Sequence, residues 1–489
     1  MDVAAGTTKS KAVDTSGIKR APIMISLIIG AFIAILNETL LNVAYTDLMA
    51  QLQVTAATVQ WLSTGFMLVV GILVPVSALL IQWFTTRQMF LGAMALFTIG
   101  TLLSGLAPNF PILLVGRIIQ AGGTGLLLPV LMNTILVLYP PEKRGGAMGM
   151  MGLVIMFAPA IGPTLSGVIV ESLNWRWLFF LIIPFALFSI IFGMIYLRNV
   201  SDITKPKVDV ISIVLSTIGF GGLVFGFSNA GEGEGGWADP GVYLTIIAGF
   251  TSLGLFVWRQ LRLKEPMLDM RAFKSPMFSL TTVLLIIMMM TMFSTMIILP
   301  LFLQGGLALT AFAAGLALLP GGLLNGAMSP IAGRLFDRYG PRALVIPGTA
   351  LLVVTMWLFT NVTTETATWQ FVVFHSMLML GISLVMMPGQ TNGLNQLPRK
   401  YYPHGTAILN TLQQVAGAIG VALFIGIMTA AETGYLQSAV DPESAAAQQE
   451  ALTSGVQGAF TVGLIFAIVA FVLSLFMKRT TAPIEIDEK

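Results

Sequence analysis

The sequence predicts an all-α polytopic membrane protein with fourteen transmembrane helices, arranged as two six-helix repeats with two further helices between them. Three observations predict it. Of 489 residues, 56% are hydrophobic and 10% charged, and the mean hydropathy is +0.87, a composition suited to hydrocarbon and not to water. The apolar runs are about 20 residues long, so they read as helices whose backbone groups bond internally, not as the alternating segments of about ten residues that build a membrane barrel. The two ends of the chain also resemble each other.

Apolar runs bounded by charges or turn residues place the helices, in order, near 22–44, 58–80, 89–107, 110–137, 145–170, 176–197, 209–229, 241–260, 276–303, 311–333, 342–359, 367–392, 403–431 and 457–478. The run after "MDVAAGTTKSKAVDTSGIKR" is a full span without a small-residue cleavage site, so it is expected to stay as the first helix and not to act as a signal peptide. The segment 432–456, rich in Ala, Gln and acids, is expected to be a long outer loop holding at most a short surface helix.

Charge tests that count. With the N-terminus in the cytoplasm, all of the 25 Lys and Arg residues fall on the inner side except Arg117, inside a span, and Arg176, outside, whereas the acids divide almost evenly. Missing one helix would reverse every later loop and erase the asymmetry. Both termini are therefore expected to be cytoplasmic. With no cysteine and only His375 and His404, disulfides, thiolate metal sites and a histidine-rich metal centre are excluded. "GEGEGGW", 231–237, lacks the Lys and Ser or Thr of a phosphate loop and reads as a turn. No metal, cofactor, nucleic-acid partner or enzymatic role is expected.

Internal similarity sets the domain plan. Pro129 and Asn133 match Pro388 and Asn392 at a spacing of 259, Pro75 matches Pro330 at 255, and Gly145 and Ala147 match Gly405 and Ala407 at 260. Three matches in order at nearly one offset point to a duplicated six-helix unit. The expected divisions are an N-terminal bundle over 1–200, a linker with two extra helices over 201–275, and a C-terminal bundle over 276–489. Parallel six-helix repeats are the layout of transporters that rock one half against the other around a midplane site.

Several segments carry chemistry. "GRLFDRYGPR", 333–342, sets Arg334, Asp337, Arg338 and Arg342 beside Gly340 and Pro341, and alone it reads equally as a solvated turn. Its counterpart "ALLIQWFTTR", 78–87, has Gln82 in the place of the acid and Thr85 in that of the second glycine. In "RIIQAGG", 117–123, Arg117 must face a polar cavity or partner, or else snorkel to an interface, because an uncompensated charge within a span costs at least about 2.5 kcal/mol. "APAIGPTLSG", 158–167, combines small residues that admit a close neighbour with prolines that let a helix bend, and the repeat at "AGAIGV", 416–421, lacks both prolines.

In "LNETLLNVA", 36–44, Glu38 is the one carboxylate placed well inside a predicted span. A carboxyl there holds its proton where it is dry and yields it where water or a cation reaches it, which alternating proton uptake and release requires. Asn42 lies one turn along the same face. A glutamate near the outer interface with little to do remains the alternative. Asn37, Trp61, Phe66, Asn133, Met151, Phe157 and Asn392 are weaker candidates for a substrate cavity, since most such residues on membrane helices face lipid or neighbours.

These motifs, in this order and over nearly the whole chain, resemble the fourteen-helix drug:proton antiporters of the major facilitator superfamily, with particular similarity to the lincomycin-exporter type. The resemblance implies a major facilitator fold in a bacterial plasma membrane, working as a monomer. It also implies alternating-access export of an amphipathic organic drug in exchange for protons. It assigns Glu38, Arg117 and Asn42 to proton coupling. Gating would fall to Gly162, Pro163 and Gly167 in the fifth helix and to a cytoplasmic latch at Gly333, Asp337, Arg338, Gly340 and Arg342. Export of an endogenous metabolite such as a lipid, peptide or nucleotide-like compound, or a non-transporting sensor or scaffold, are the alternatives.

Overall fold

The computed structural model describes residues 20–54, 56–200, 203–206, 208–232, 236–264, 266–439 and 441–480. Among them there is no strand. Fourteen helices carry the fold: α1 Arg20–Leu40, α2 Ala56–Trp83, α3 Thr86–Gly105, α4 Phe110–Leu138, α5 Arg144–Ser172, α6 Ile182–Tyr196, α7 Val210–Glu232, α8 Pro240–Arg262, α9 Pro276–Leu301, α10 Ala311–Tyr339, α11 Arg342–Phe359, α12 Thr368–Asn395, α13 Tyr402–Ser438 and α14 Ala445–Leu475. Thirteen spans are long and apolar enough to cross a membrane, α6 together with the short helix Trp177–Phe180 before it. The fourteenth predicted span is α5, continuous over 29 residues.

Local signals set the helix starts. Asn109 accepts from Ile112 N ahead of α4, Thr310 from Ala313 N ahead of α10, and Ser444 from Ala447 N ahead of α14. Thr85 and Gln88 form a reciprocal capping box at α3. The matched prolines lie inside matched helices, Pro75 and Pro330 in α2 and α10, Pro129 and Pro388 in α4 and α12.

Packing repeats with the sequence. In the first repeat α3 lies on α4 and α6, α2 on α4, and α1 on α4, α5 and α6. In the second, α11 lies on α12 and α14, α10 on α12, and α9 on α12, α13 and α14. The repeats meet along two related seams, α5 on α10 and α2 on α13, with α4 touching α13 and α12 touching α5 between them. The α5–α10 seam is the longer. Gly145, Gly149 and Gly152 of α5 face Gly333, Ser329 and Pro330 of α10 so closely that a Cβ on Gly149 would press on the α10 backbone. Helix α7 packs on α2, α8 and α13, and α8 turns Leu244, Ile247, Phe250 and Trp258 outward, as a lipid-facing helix does.

Two expectations need correction. The charged stretch at 333–342 is not mainly a turn, because α10 continues through Tyr339 and only Gly340 and Pro341 interrupt it. The long outer loop at 432–456 does not exist as such. Helix α13 runs on to Ser438 and α14 begins at Ala445, since alanine and glutamine favour helix and no proline precedes Pro442 in the segment.

Candidate functional site

Helices α1 to α4 enclose Arg117. Its guanidinium is fully buried, donating from Nη1 to Gln120 Oε1 at 2.6 Å and to Asn37 Oδ1 at 3.2 Å, and it lies 4.3 Å from the Phe66 ring centroid. Gln120 in turn donates to Thr101 Oγ1 at 2.7 Å. The charge therefore does not snorkel. Neutral acceptors from α1 and α4 and an aromatic face from α2 hold it in place. Glu38, half-buried on the next residue of α1, is close enough to interact electrostatically with Arg117.

At the two residues that follow Glu38, helix α5 comes into contact. Ser166 Oγ donates to the Leu40 carbonyl at 2.5 Å, and a Cβ on Gly162 would collide with the Thr39 side chain. The small residues of the fifth-helix motif thus let α5 lie directly on the part of α1 that carries Glu38. Of Asn42, Pro163 and Gly167 only the helical backbone belongs to the described residues.

A second cluster closes the end of the bundle that carries most of the basic residues. Asp337 of α10 accepts from Gly145 N and Gly146 N, both at 2.8 Å, so its carboxylate caps the start of α5 in the other repeat. The Asp337 carboxylate thus bonds backbone amides and not the guanidiniums of Arg338 or Arg342 in its own motif. A helix start offers two free N–H groups in fixed directions, and Arg338 and Arg342 are turned elsewhere. Arg338 lies over the Tyr339 ring, and Arg342 donates to the Leu475 carbonyl.

Gly340 ends α10 at φ 80°, ψ −179°, a conformation open to glycine and strained for other residues, with its N–H bonded to Phe336 O at 2.8 Å. Gly333 faces Gly145 backbone to backbone.

Beside this contact Arg144 reaches across the seam. Nη1 donates to Asn395 Oδ1 and Nη2 to the Tyr402 hydroxyl, both at 2.9 Å, while Nε and Nη2 hold the Tyr139 and Leu136 carbonyls at the end of α4. Sequence reasoning placed Arg144 among the inner-side charges and missed this role. The available signal was its position, first in α5 and matched at a spacing of 260 by His404, second after the start of α13. Gln120, one turn after Arg117 in "RIIQ", was missed likewise.

The weaker cavity candidates are not brought together. Asn37 and Phe66 belong to the arginine cluster. Asn392, which matches Asn133 in the repeat, pins the chain just beyond α14, donating to Lys478 O at 2.9 Å and accepting from Thr480 N at 3.1 Å. Trp61 is 42% exposed and lies on Phe225 of α7, away from the α5–α10 seam. Met151 and Asn133 are buried, and Phe157 covers Gly326 of α10 across the seam.

The profile of the Major Facilitator Superfamily matches residues 27–421. The chain is 58% identical over 461 residues to the lincomycin resistance protein LmrB of Bacillus subtilis, covering 94% of this chain and 96% of that one. It is 53% identical over 464 residues to the LmrB of Listeria monocytogenes, covering 94% and 98%. Among solved structures, the human organic anion transporter MFSD10 superposes with a TM-score of 0.61 at 13% identity, over 93% of this chain and 99% of that one, a likeness of fold alone.

Proposed function

Since this chain belongs to the major facilitator superfamily, we propose that it is a secondary active exporter that moves amphipathic drugs out of a bacterial cell in exchange for protons. Two relatives more than half identical bear the name of lincomycin resistance, which makes lincomycin the first substrate to try. The basic end is cytoplasmic by the distribution of Lys and Arg, and the conformation described here is closed at that end. The bundles 1–200 and 276–489 rock against each other, and 201–275 connects them.

The observation that carries the coupling is Arg117, fully buried on neutral acceptors with Glu38 adjacent to one of them. An ionised Glu38 is stabilised by that buried cation. A protonated one releases it to its neutral partners, so proton exchange at Glu38 changes how α1 and α4 hold together. Gly162 and Ser166 connect α1 to α5, and α5 to the latch at Asp337. This is a continuous route from a protonation site to the inner gate. The protein acts as a monomer in this scheme, because each element lies within one chain.

The test is lincomycin uptake into inverted vesicles under an imposed pH gradient. Wild type should concentrate the drug, and Glu38→Gln, fixed in a neutral form, should lose uphill uptake entirely while keeping downhill exchange. Concentrative uptake by Glu38→Gln would put the proton pathway elsewhere.

A further inference from the structure

We infer that Gln390, Asn410 and Gln413 of the second repeat form an uncharged hydrogen-bonding subsite for the transported molecule, and that Met132 of the first repeat covers it while the basic end is closed. The inference rests on the exporter reading and names the chemistry by which the pathway reads its cargo. Asn410 Nδ2 approaches Met132 Sδ at 2.9 Å and Gln390 Nε2 approaches the same sulfur at 3.8 Å. Asn410 Nδ2 also donates to the Thr406 carbonyl of its own helix at 2.8 Å, so it is the Gln390 amide that depends on the thioether, a weak acceptor. Gln390 Oε1 and Gln413 Nε2 are buried with no hydrogen-bond partner among the described residues. Gln413 stands one turn from Asn410 on the same face of α13.

Buried carboxamide atoms left without partners are rare in folded proteins because each forfeits its bonds to water. The fold does not require them here. At the matched positions the first repeat carries Leu131, Met150 and Leu153, all apolar, on helices that pack in the same way. What the three side chains offer is donors and acceptors without charge. They suit a hydroxyl or amide of an amphipathic organic molecule and give no advantage to a cation or an anion. Met132 belongs to α4, and Gln390 and Asn410 to α12 and α13, so opening the basic end draws the sulfur away from the amides. The cargo's polar group and the methionine therefore compete for one place. Binding of cargo favours the open form and release favours closure.

The experiment measures KM and Vmax for lincomycin uptake into inverted vesicles for wild type, Gln390→Met and Asn410→Leu, both near-isosteric and apolar. Each variant should raise KM about tenfold with Vmax within about twofold of wild type. Gln390→Met, which removes an orphaned polar atom, should also raise the melting temperature of the detergent-solubilised protein. Unchanged KM in both variants overturns the inference and leaves the exporter reading standing. A lower melting temperature with lower Vmax at unchanged KM marks a packing role and overturns it too. A wild type that concentrates no lincomycin overturns the exporter reading, and this inference with it.

Discussion

At 333–342 the loop motif is bonded to the opposite repeat, whereas at 78–87 its copy is bonded to the linker. Asp337 takes two amides of α5, and Arg144 beside it takes Asn395 and Tyr402. The matched Gln82 instead offers its carbonyl to Thr204 N and Lys205 N, at 3.1 and 3.2 Å, and Trp83 donates to Pro206 O at 2.8 Å. His404, in the place that corresponds to Arg144, faces the linker carbonyl of Met267 at 3.2 Å. One corner of the basic end is therefore closed directly between the repeats, and the other is filled by the connecting segment. The Gln82 side chain adds one exposed bond, accepting at Oε1 from the Thr204 hydroxyl at 3.2 Å, so the corner without an acid is held to the linker mainly through backbone groups.

Removing the direct contact should have the largest effect on transport. Asp337→Asn keeps the shape but offers one acceptor and turns an N–H₂ toward an amide donor. With charged hydrogen bonds worth about 1.5–3 kcal/mol each, turnover should fall at least about tenfold at unaltered substrate KM. Unchanged turnover would break the contrast between corners.

Arg144→Lys retains charge but loses the planar fork, so it keeps at most part of the four bonds, and a fall of about threefold to tenfold is expected in the same assay. In both series Gln82→Ala is the control. Its carbonyl still bonds Thr204 and Lys205, and export should stay within about twofold. A tenfold loss there would mean that the second corner latches through a side chain after all.

The smallest effect concerns the linker's own ion pair. Arg259 Nε and Nη2 donate to Asp209 at 2.8 and 2.9 Å, and together with a bond from Ser212 they lower the Asp209 carboxyl from 3.8 to about 2. A depressed carboxyl stabilises the fold fully above its ordinary value and loses that contribution as pH falls through the lowered one. Asp209→Asn should therefore lower the melting temperature by less than about 3 °C between pH 5 and 8, and the gap should shrink below the ordinary carboxyl value and close only as pH falls through about 2. A gap that persisted there would detach the pair from its titration.

The sequence by itself determined the membrane class, the order of the helices and the repeat. Hydrocarbon leaves a backbone no choice but internal bonding, and runs such as Trp177–Tyr196 and Pro276–Gly306 state their length directly. It also marked Arg117 as a charge in need of partners, since that follows from the local cost of burying it. Which partners such groups have was decided only in three dimensions. Arg117 rests on Asn37, 80 residues away, and Arg144 on Tyr402, 258 away. Asp337 chose amides over the guanidiniums next to it in sequence. Asn133 and Asn392 match in the repeat, yet Asn392 holds the chain at Lys478 and Thr480. A hydrogen bond is directional over about 3 Å, so its partner depends on how helices cross and rotate, and no spacing along the chain records that.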